Sequence, residues 1–219
     1  MSMTKPGQQR RQRMSPRDRV AAIEEEARQQ ALEAGLQALT HRSLATRLGV
    51  SHSLIVHYIS DLEEFRAQTY SKLILAELSS IERAVAPVPT GIGKLVELVR
   101  LLSVTGREET ASLWLDGWTI GRLNALMAAE VRSAMHAWQD FIEELLSAGV
   151  HAGEFEIDDV SGCAWEIIAL FDGLNSHMLV AFGAPNEYKL RMAAPIESRL
   201  GLQPGTLTSA TKFKGEDRS

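Results

Sequence analysis

A single cysteine, Cys163, leaves this chain nothing with which to build an internal disulfide framework, and it argues against a cysteine-based structural zinc site as well. Long apolar runs are also missing. The stretch Ile167 to Phe171 falls far short of the roughly 20 residues needed to span a bilayer. The basic N-terminus is followed by no apolar segment of the kind a secretory signal carries. No alternating run is long enough for a sheet, and no internal repeat is present. No Ser or Cys stands in an activating motif, and no glycine-rich loop is spaced to cradle a phosphate. These absences exclude a disulfide scaffold and a membrane-spanning protein, leave a small helical enzyme as a remote reading, and make a cytoplasmic location the expectation.

What is present is an ordinary globular composition. The chain has 219 residues, 45% hydrophobic and 23% charged, enough for one domain or a small one joined to a larger. Its net charge of -5 conceals an asymmetry. Residues 1–60 hold 9 Lys/Arg against 5 Asp/Glu, whereas residues 61–219 hold 14 against 23. Lys5, Arg10, Arg11, Arg13, Arg17 and Arg19 all precede Val20. A basic arm and head on an acidic body suits a polyanionic partner, although basic N-termini also serve solubility alone.

Within the basic portion lies LTHRSLATRLGVSHSLIVHYISDLEEF, Leu39 to Phe65. Thr40 is placed to cap a short helix carrying Leu44, Ala45 and Leu48 on one face. Gly49 supplies a tight turn, because glycine reaches positive φ without a Cβ clash. Ser51 caps a second short helix, His52 to Ile59. Val50, Ile55 and Ile59 complete the apolar set for two helices crossing over a small core, a helix-turn-helix. The second helix turns His52, Ser53, Leu54, His57 and Tyr58 outward, and none is an acid, so it is fit to enter a groove lined by phosphates.

The rest of the chain has helical spacing throughout. The pattern predicts an all-α fold of about nine helices. A disordered basic arm covers 1–15, a three-helix head 16–65, a helical body 66–202, and a disordered tail 203–219. The first helix runs from Pro16 to Ala34, and a long rod from Leu62 to Ala84 joins head to body. Further helices are expected near 92–104, 107–122, 124–150, 158–182 and 186–200, the last kinked or broken by Pro195.

The first 65 residues resemble the TetR family of bacterial transcriptional regulators. The matching features are the helix ending at Gly35, then LTHRSLATRLGVS, then HYISDLEEF. The remainder is similar to the family's betaine-regulator (BetI-like) type of C-terminal domain through LWLDGW (113–118), the run 129–155 and AWEIIALFDGL (164–174). The resemblance implies a homodimer with two DNA-binding heads and a ligand-binding body. It also implies a regulator, most often a repressor, that leaves a near-palindromic operator when a small molecule binds; an activator or dual regulator is the alternative. No cofactor is implied. Carried onto this sequence, the DNA-contacting set is Thr40, His41, Arg42, Ser51, His52, Ser53, Leu54, His57 and Tyr58. Arg42 is the candidate base reader, since a guanidinium fork matches guanine O6 and N7, although a surface Arg can equally meet phosphate alone. Leu54, Val56, Ile59 and Leu62 depart from the family pattern, and the last removes a common phosphate-anchoring lysine.

All four tryptophans lie in the body, where polar residues such as Asp116, His136, Asp172, Asn175 and His177 interrupt apolar faces. Buried unpaired, each such group costs about 1–3 kcal/mol. Two readings follow. The body holds an effector pocket lined by some of Trp114, Trp118, Met135, Trp138, Trp165 and Asp172, or these polar groups satisfy one another in a dimer interface. A cation held by ring faces and an acid, and a merely hydrophobic ligand, both fit such a lining. Ile168, Phe171, Leu174, Met178 and Phe182 give the 158–182 helix more apolar surface than one core face requires, which points to a four-helix dimer interface.

Overall fold

The computed structural model describes residues 14–103 and 108–209. The expected basic arm up to residue 13 and the tail from residue 210 lie outside the described residues, as does the short stretch where the 92–104 helix was expected to end. Among the described residues the fold is all α, with nine helices and one 3-10 turn.

The head begins with α1 (Pro16–Ala34), where Ser15 Oγ accepts the Asp18 N–H at 3.1 Å and Pro16 occupies the first turn. Gly35, at φ +82°, ends it and leads into a 3-10 turn, Leu36–Ala38, that the sequence pattern did not reveal. Helices α2 (His41–Leu48) and α3 (His52–Tyr58) form the helix-turn-helix. Thr40 and Ser43 cap α2 reciprocally, and Gly49 adopts the left-handed conformation (φ +62°) the turn requires. Ile23, Ala27, Leu36, Leu39, Leu44, Ala45, Ile55 and Ile59 are buried in the head.

Asp61 accepts two backbone N–H groups to start α4 (Leu62–Val85). Its 24 residues span about 36 Å, so one helix belongs to both head and body. The body adds α5 (Gly91–Leu102), α6 (Glu108–Gly121), α7 (Ala125–His151), α8 (Val160–Leu179) and α9 (Pro185–Arg199). Helix α7 is the axis of the body and packs against α4, α5, α6 and α8. No described helix is long and apolar enough to cross a membrane.

Three expectations need correction. Helix α8 stops at Leu179, and the chain leaves it through Ala181 at φ +53°. Helix α9 runs through Pro195 unbroken; the proline is exposed, so solvent can take the Arg191 carbonyl it leaves without an N–H. The disorder expected from 203 does not hold for 203–209. The buried Glu197 carboxylate accepts N–H groups from Gly205 (2.9 Å) and Leu207 (2.7 Å), and Leu207 is fully buried. One buried acid on α9 thus folds back the segment that follows it.

Candidate functional site

On the head, the structure leaves Arg42, His52, Ser53, Val56 and His57 exposed, with Leu54 and Tyr58 half-buried. Arg42 enters no ion pair among the described residues, whereas Arg47, one turn on, is held by Glu26 and Glu33 of α1. Arg47 therefore braces α2 on α1, and Arg42 is the guanidinium left for a partner. The His41 ring sits 2.8 Å through Nε2 from the Ile59 carbonyl, which spans the two helices of the motif. That bond ties His41 into the fold, so any phosphate contact falls to its other nitrogen. The Thr40 and Ser51 hydroxyls likewise accept from the Ser43 and Leu54 N–H groups as caps.

Head and body are fastened at two points on the α6–α7 hairpin. Asp116 of α6 accepts the Leu36 N–H through Oδ2 at 2.7 Å. A Cβ on residue 35 would lie 2.6 Å from that oxygen, so Gly35 is what admits the carboxylate. Asn124, the cap of α7, donates to Glu63 at 3.0 Å; Glu63 pairs with Arg66 at 2.7 Å, and Arg66 Nε donates to the Leu39 carbonyl at 2.9 Å. The 3-10 turn is thus held at its entry by an acid from the body and at its exit by a guanidinium linked to the body.

The body holds a chamber between α5, α6, α7 and α8, lined by Leu102, Trp114, Met135, Trp138, Ile168, Phe171, Asp172 and Asn175. Four of the six residues expected around an effector meet there: Trp114, Met135, Trp138 and Asp172. Trp118 lies outside the lining, its ring tilted against Trp114 at 5.8 Å between centroids, and Trp114 also meets the fully buried Tyr70 edge-on at 5.9 Å. The chamber's free volume is about 30 Å³, close to one water molecule's share of the liquid. No basic side chain lines it. Burial pushes the Asp172 carboxyl up to about 7. Burial also raises the Tyr70 phenol well above its usual range, with the Asp172 and Glu77 carboxylates adding to the effect.

Met135, Ile168 and Asp172 are shared with an open groove of about 710 Å³ between α7 and α8, whose other walls include Arg132, His136, Asp140 and Glu143. Trp165 lines this groove and not the chamber. Two of the five residues expected at a dimer interface, Phe171 and Leu174, are buried inside the subunit, and Phe171 is chamber wall. The helical period explains the reassignment. Positions 168, 171, 172 and 175 face inward, while Trp165 (65% exposed), Ala169, Gly173 and Val180 (74%) form the outward strip, continued by Phe182 (69%) and by Leu190 (59%) on α9. Leu102, Ile168, Phe171 and Asn175 were absent from the expected lining; Asn175 was legible as a polar residue at i+3 from Asp172.

Cys163 is fully buried and its thiol is raised by desolvation, so it offers no ready nucleophile. Among the described residues no group of three His, Cys, Asp or Glu is placed to hold a metal ion.

Residues 94–195 match the family described as BetI-type transcriptional repressor, C-terminal. No curated protein matches the chain. Among solved structures, a transcriptional-regulator structure from Saccharomonospora viridis in complex with choline aligns with TM-score 0.74 at 21% identity, covering 83% of this chain and 96% of that one. A TetR regulator from Haloarcula marismortui aligns at 0.69 and 16% identity over 84% and 97% of the two chains. A TetR-family regulator from Agrobacterium tumefaciens aligns at 0.65 and 17% over 85% and 99%. At these identities the structural matches speak to fold, and the family match speaks to the body that carries the chamber. Residues 94–195 thus match the C-terminal domain of BetI-type repressors, and the chain as a whole has the fold of the TetR-family regulators it aligns with.

Proposed function

We propose that the chain is a homodimeric repressor whose operator affinity is lowered by an organic cation bound in the body, with residues 16–65 as the DNA-reading head and 66–202 as the effector and dimerisation body. The observation that carries the effector class is the chamber itself. A largely buried acid, Asp172, stands among the rings of Trp114, Trp138 and Phe171, and no basic side chain lines the chamber with it. Ring faces and one acid favour a cation, and a desolvated acid gains most from one. The choline bound by the Saccharomonospora viridis protein is a compound of this class.

The outward apolar strip of α8 and α9 supports a four-helix interface between two copies, since a monomer would leave Trp165, Val180, Phe182 and Leu190 in water. Two heads then present α3 to successive major grooves, about 34–36 Å apart or wider, on a near-palindromic operator. Arg42 reads a base, and His41, Ser51, His52, Ser53, His57 and Tyr58 line the groove and its phosphates, with Thr40 setting the helix that carries them.

A chamber of about 30 Å³ does not admit an organic cation until its walls part. Trp114 is one of those walls, and Asp116, two residues along the same helix, holds the head. Opening the chamber therefore moves the fastening of the 3-10 turn, which is the route from effector to head spacing. Titration of the dimer with choline, on a duplex selected from a random-sequence library, tests this reading. Operator affinity should fall steeply with salt, as phosphate contacts require, and should fall again when choline saturates the body. Tight, salt-insensitive DNA binding, or affinity unchanged at saturating cation, overturns it.

A further inference from the structure

Helix α3 turns one apolar side chain to solvent from within its outward face. Val56 is 40% exposed, whereas Leu54, to which the sequence points as the apolar contact, is half-buried. Val56 follows His52 and Ser53 by four and three residues and precedes His57, so these four exposed side chains occupy one arc of the helix. The polar members of that arc are steadied by neighbours in the head. The His52 ring meets His41 edge-on at 5.9 Å, the His57 ring meets Tyr58 edge-on at 5.3 Å, and the Ser53 hydroxyl lies 3.1 Å from that of Ser51. Val56 has no polar group to engage and is not part of the buried core. Helix α3 also carries no Lys, Arg, Asp or Glu, so its selectivity falls to short polar and apolar side chains.

We propose that Val56 is a specificity-determining residue of the head, its two methyl groups packing against the C5-methyl of a thymine in the major groove. The inference rests on the DNA-reading head proposed above and names one base that it selects. Of the base edges in that groove, only thymine's carries a methyl; cytosine presents its N4 donor, and the purines present N7 with an acceptor or a donor beside it. A valine can answer none of those polar groups, and covering one strips its water without replacing the bond. β-Branching fixes χ1 within a helix, so the two methyls are presented with little side-chain entropy left to lose.

Removing single methyls from the DNA tests the contact. On a duplex selected from a random-sequence library, each thymine is replaced in turn by deoxyuridine, which keeps the pairing and every hydrogen-bonding group and lacks only the C5-methyl. The unmodified full-length protein should lose about fourfold in affinity at one thymine per half-site, the worth of one methyl taken out of water, and roughly fifteenfold when both half-sites are changed. Val56→Ala should erase the difference between thymine and deoxyuridine at that position, and Val56→Thr, which keeps one γ-methyl, should retain part of it. Position 56 is exposed and alanine is the better helix former, so both variants are expected to melt cooperatively, the alanine variant no lower than the parent. Indifference of the unmodified protein to every replacement overturns the methyl contact and leaves the DNA-reading head standing. A penalty that persists in Val56→Ala also overturns it, and its loss in Leu54→Ala would hand the contact to Leu54. Failure to bind any duplex with a steep salt dependence removes the head reading and this inference with it.

Discussion

With Asp172 as counter-ion of the proposed cationic effector, binding should depend on pH in a direction and range that can be worked out. With its carboxyl raised by burial to about 7, the acid is about 90% ionised near pH 8 and about 1% ionised near pH 5. A cation needs the ionised form, so choline affinity should fall by roughly two orders of magnitude between about pH 8 and about pH 5, with a limiting slope of about tenfold per unit below 7. The ligand-free protein shows the opposite sign. A carboxyl raised in the folded state from 3.8 contributes stability that is full below its unfolded value and lost as pH rises through about 7. That loss is up to about 4 kcal/mol at 1.36 kcal/mol per unit. Choline should therefore raise the melting temperature strongly at pH 8 and barely at pH 5. Tyr70 and Glu77 of α4 lie within electrostatic reach of this site, and His136 and Asp140 of α7 line the groove that shares Asp172. Asp172→Asn should abolish the steep part of the dependence, and His136→Gln should preserve it. Calorimetry at four pH values with both variants is the assay. Affinity flat with pH in the parent protein, or retained at pH 8 in Asp172→Asn, would refute the carboxylate as counter-ion.

The other predictions address the head, its fastening, the interface and the tail. Arg42→Ala should cost about 1–3 kcal/mol of operator affinity and relax selectivity at one base pair, measured on a panel of operator variants; a uniform loss across the panel would assign Arg42 to phosphate instead. Asp116→Ala should speed hydrogen exchange at Leu36 and weaken both operator binding and its response to choline, while Asp116→Asn, which can still accept from that N–H, should stay near the parent. Slow exchange at Leu36 in the alanine variant would show the fastening to be idle. Val180→Asp and Phe182→Asp together should shift the protein to monomer in light scattering, because both lie on the exposed strip. Leu207→Ala should lower the unfolding free energy in urea by about 2–5 kcal/mol; a loss below 0.5 kcal/mol would mean that the 203–209 segment frays.

Much of this architecture is legible in the sequence because helix signals are local. Thr40, Ser51 and Asp61 cap the helices they precede, and each body helix lies within a few residues of its apolar period. What was not legible depends on contacts between distant segments. The 3-10 turn at Leu36–Ala38 is held by residues 80 positions away on α6, so no window around it carries the signal. The fold-back of 203–209 hangs on two bonds to Glu197, which in sequence reads as one more surface acid on a helix. For α8, the sequence shows that two faces are apolar but not which one the subunit buries; Phe171 and Leu174 went inward, and Trp165 and Phe182 outward. The pairing of Trp114, Met135, Trp138 and Asp172 in one chamber followed from spacing on three helices, whereas Trp118 and Trp165, on the same helices, missed it by a fraction of a turn.

If the effector enters the chamber as proposed, walls that close to about 30 Å³ at rest also set a dose. If its open form is populated one time in about a hundred, the apparent affinity is about a hundredfold weaker than the open form's own. The response threshold then belongs to the stiffness of the walls as much as to the contacts with the effector. Trimming a wall residue that makes no polar contact, such as Leu102, should move the dose–response midpoint to lower concentration without altering which compound is recognised. On the proposed reading sensitivity and selectivity are separable, one set by packing and the other by Asp172.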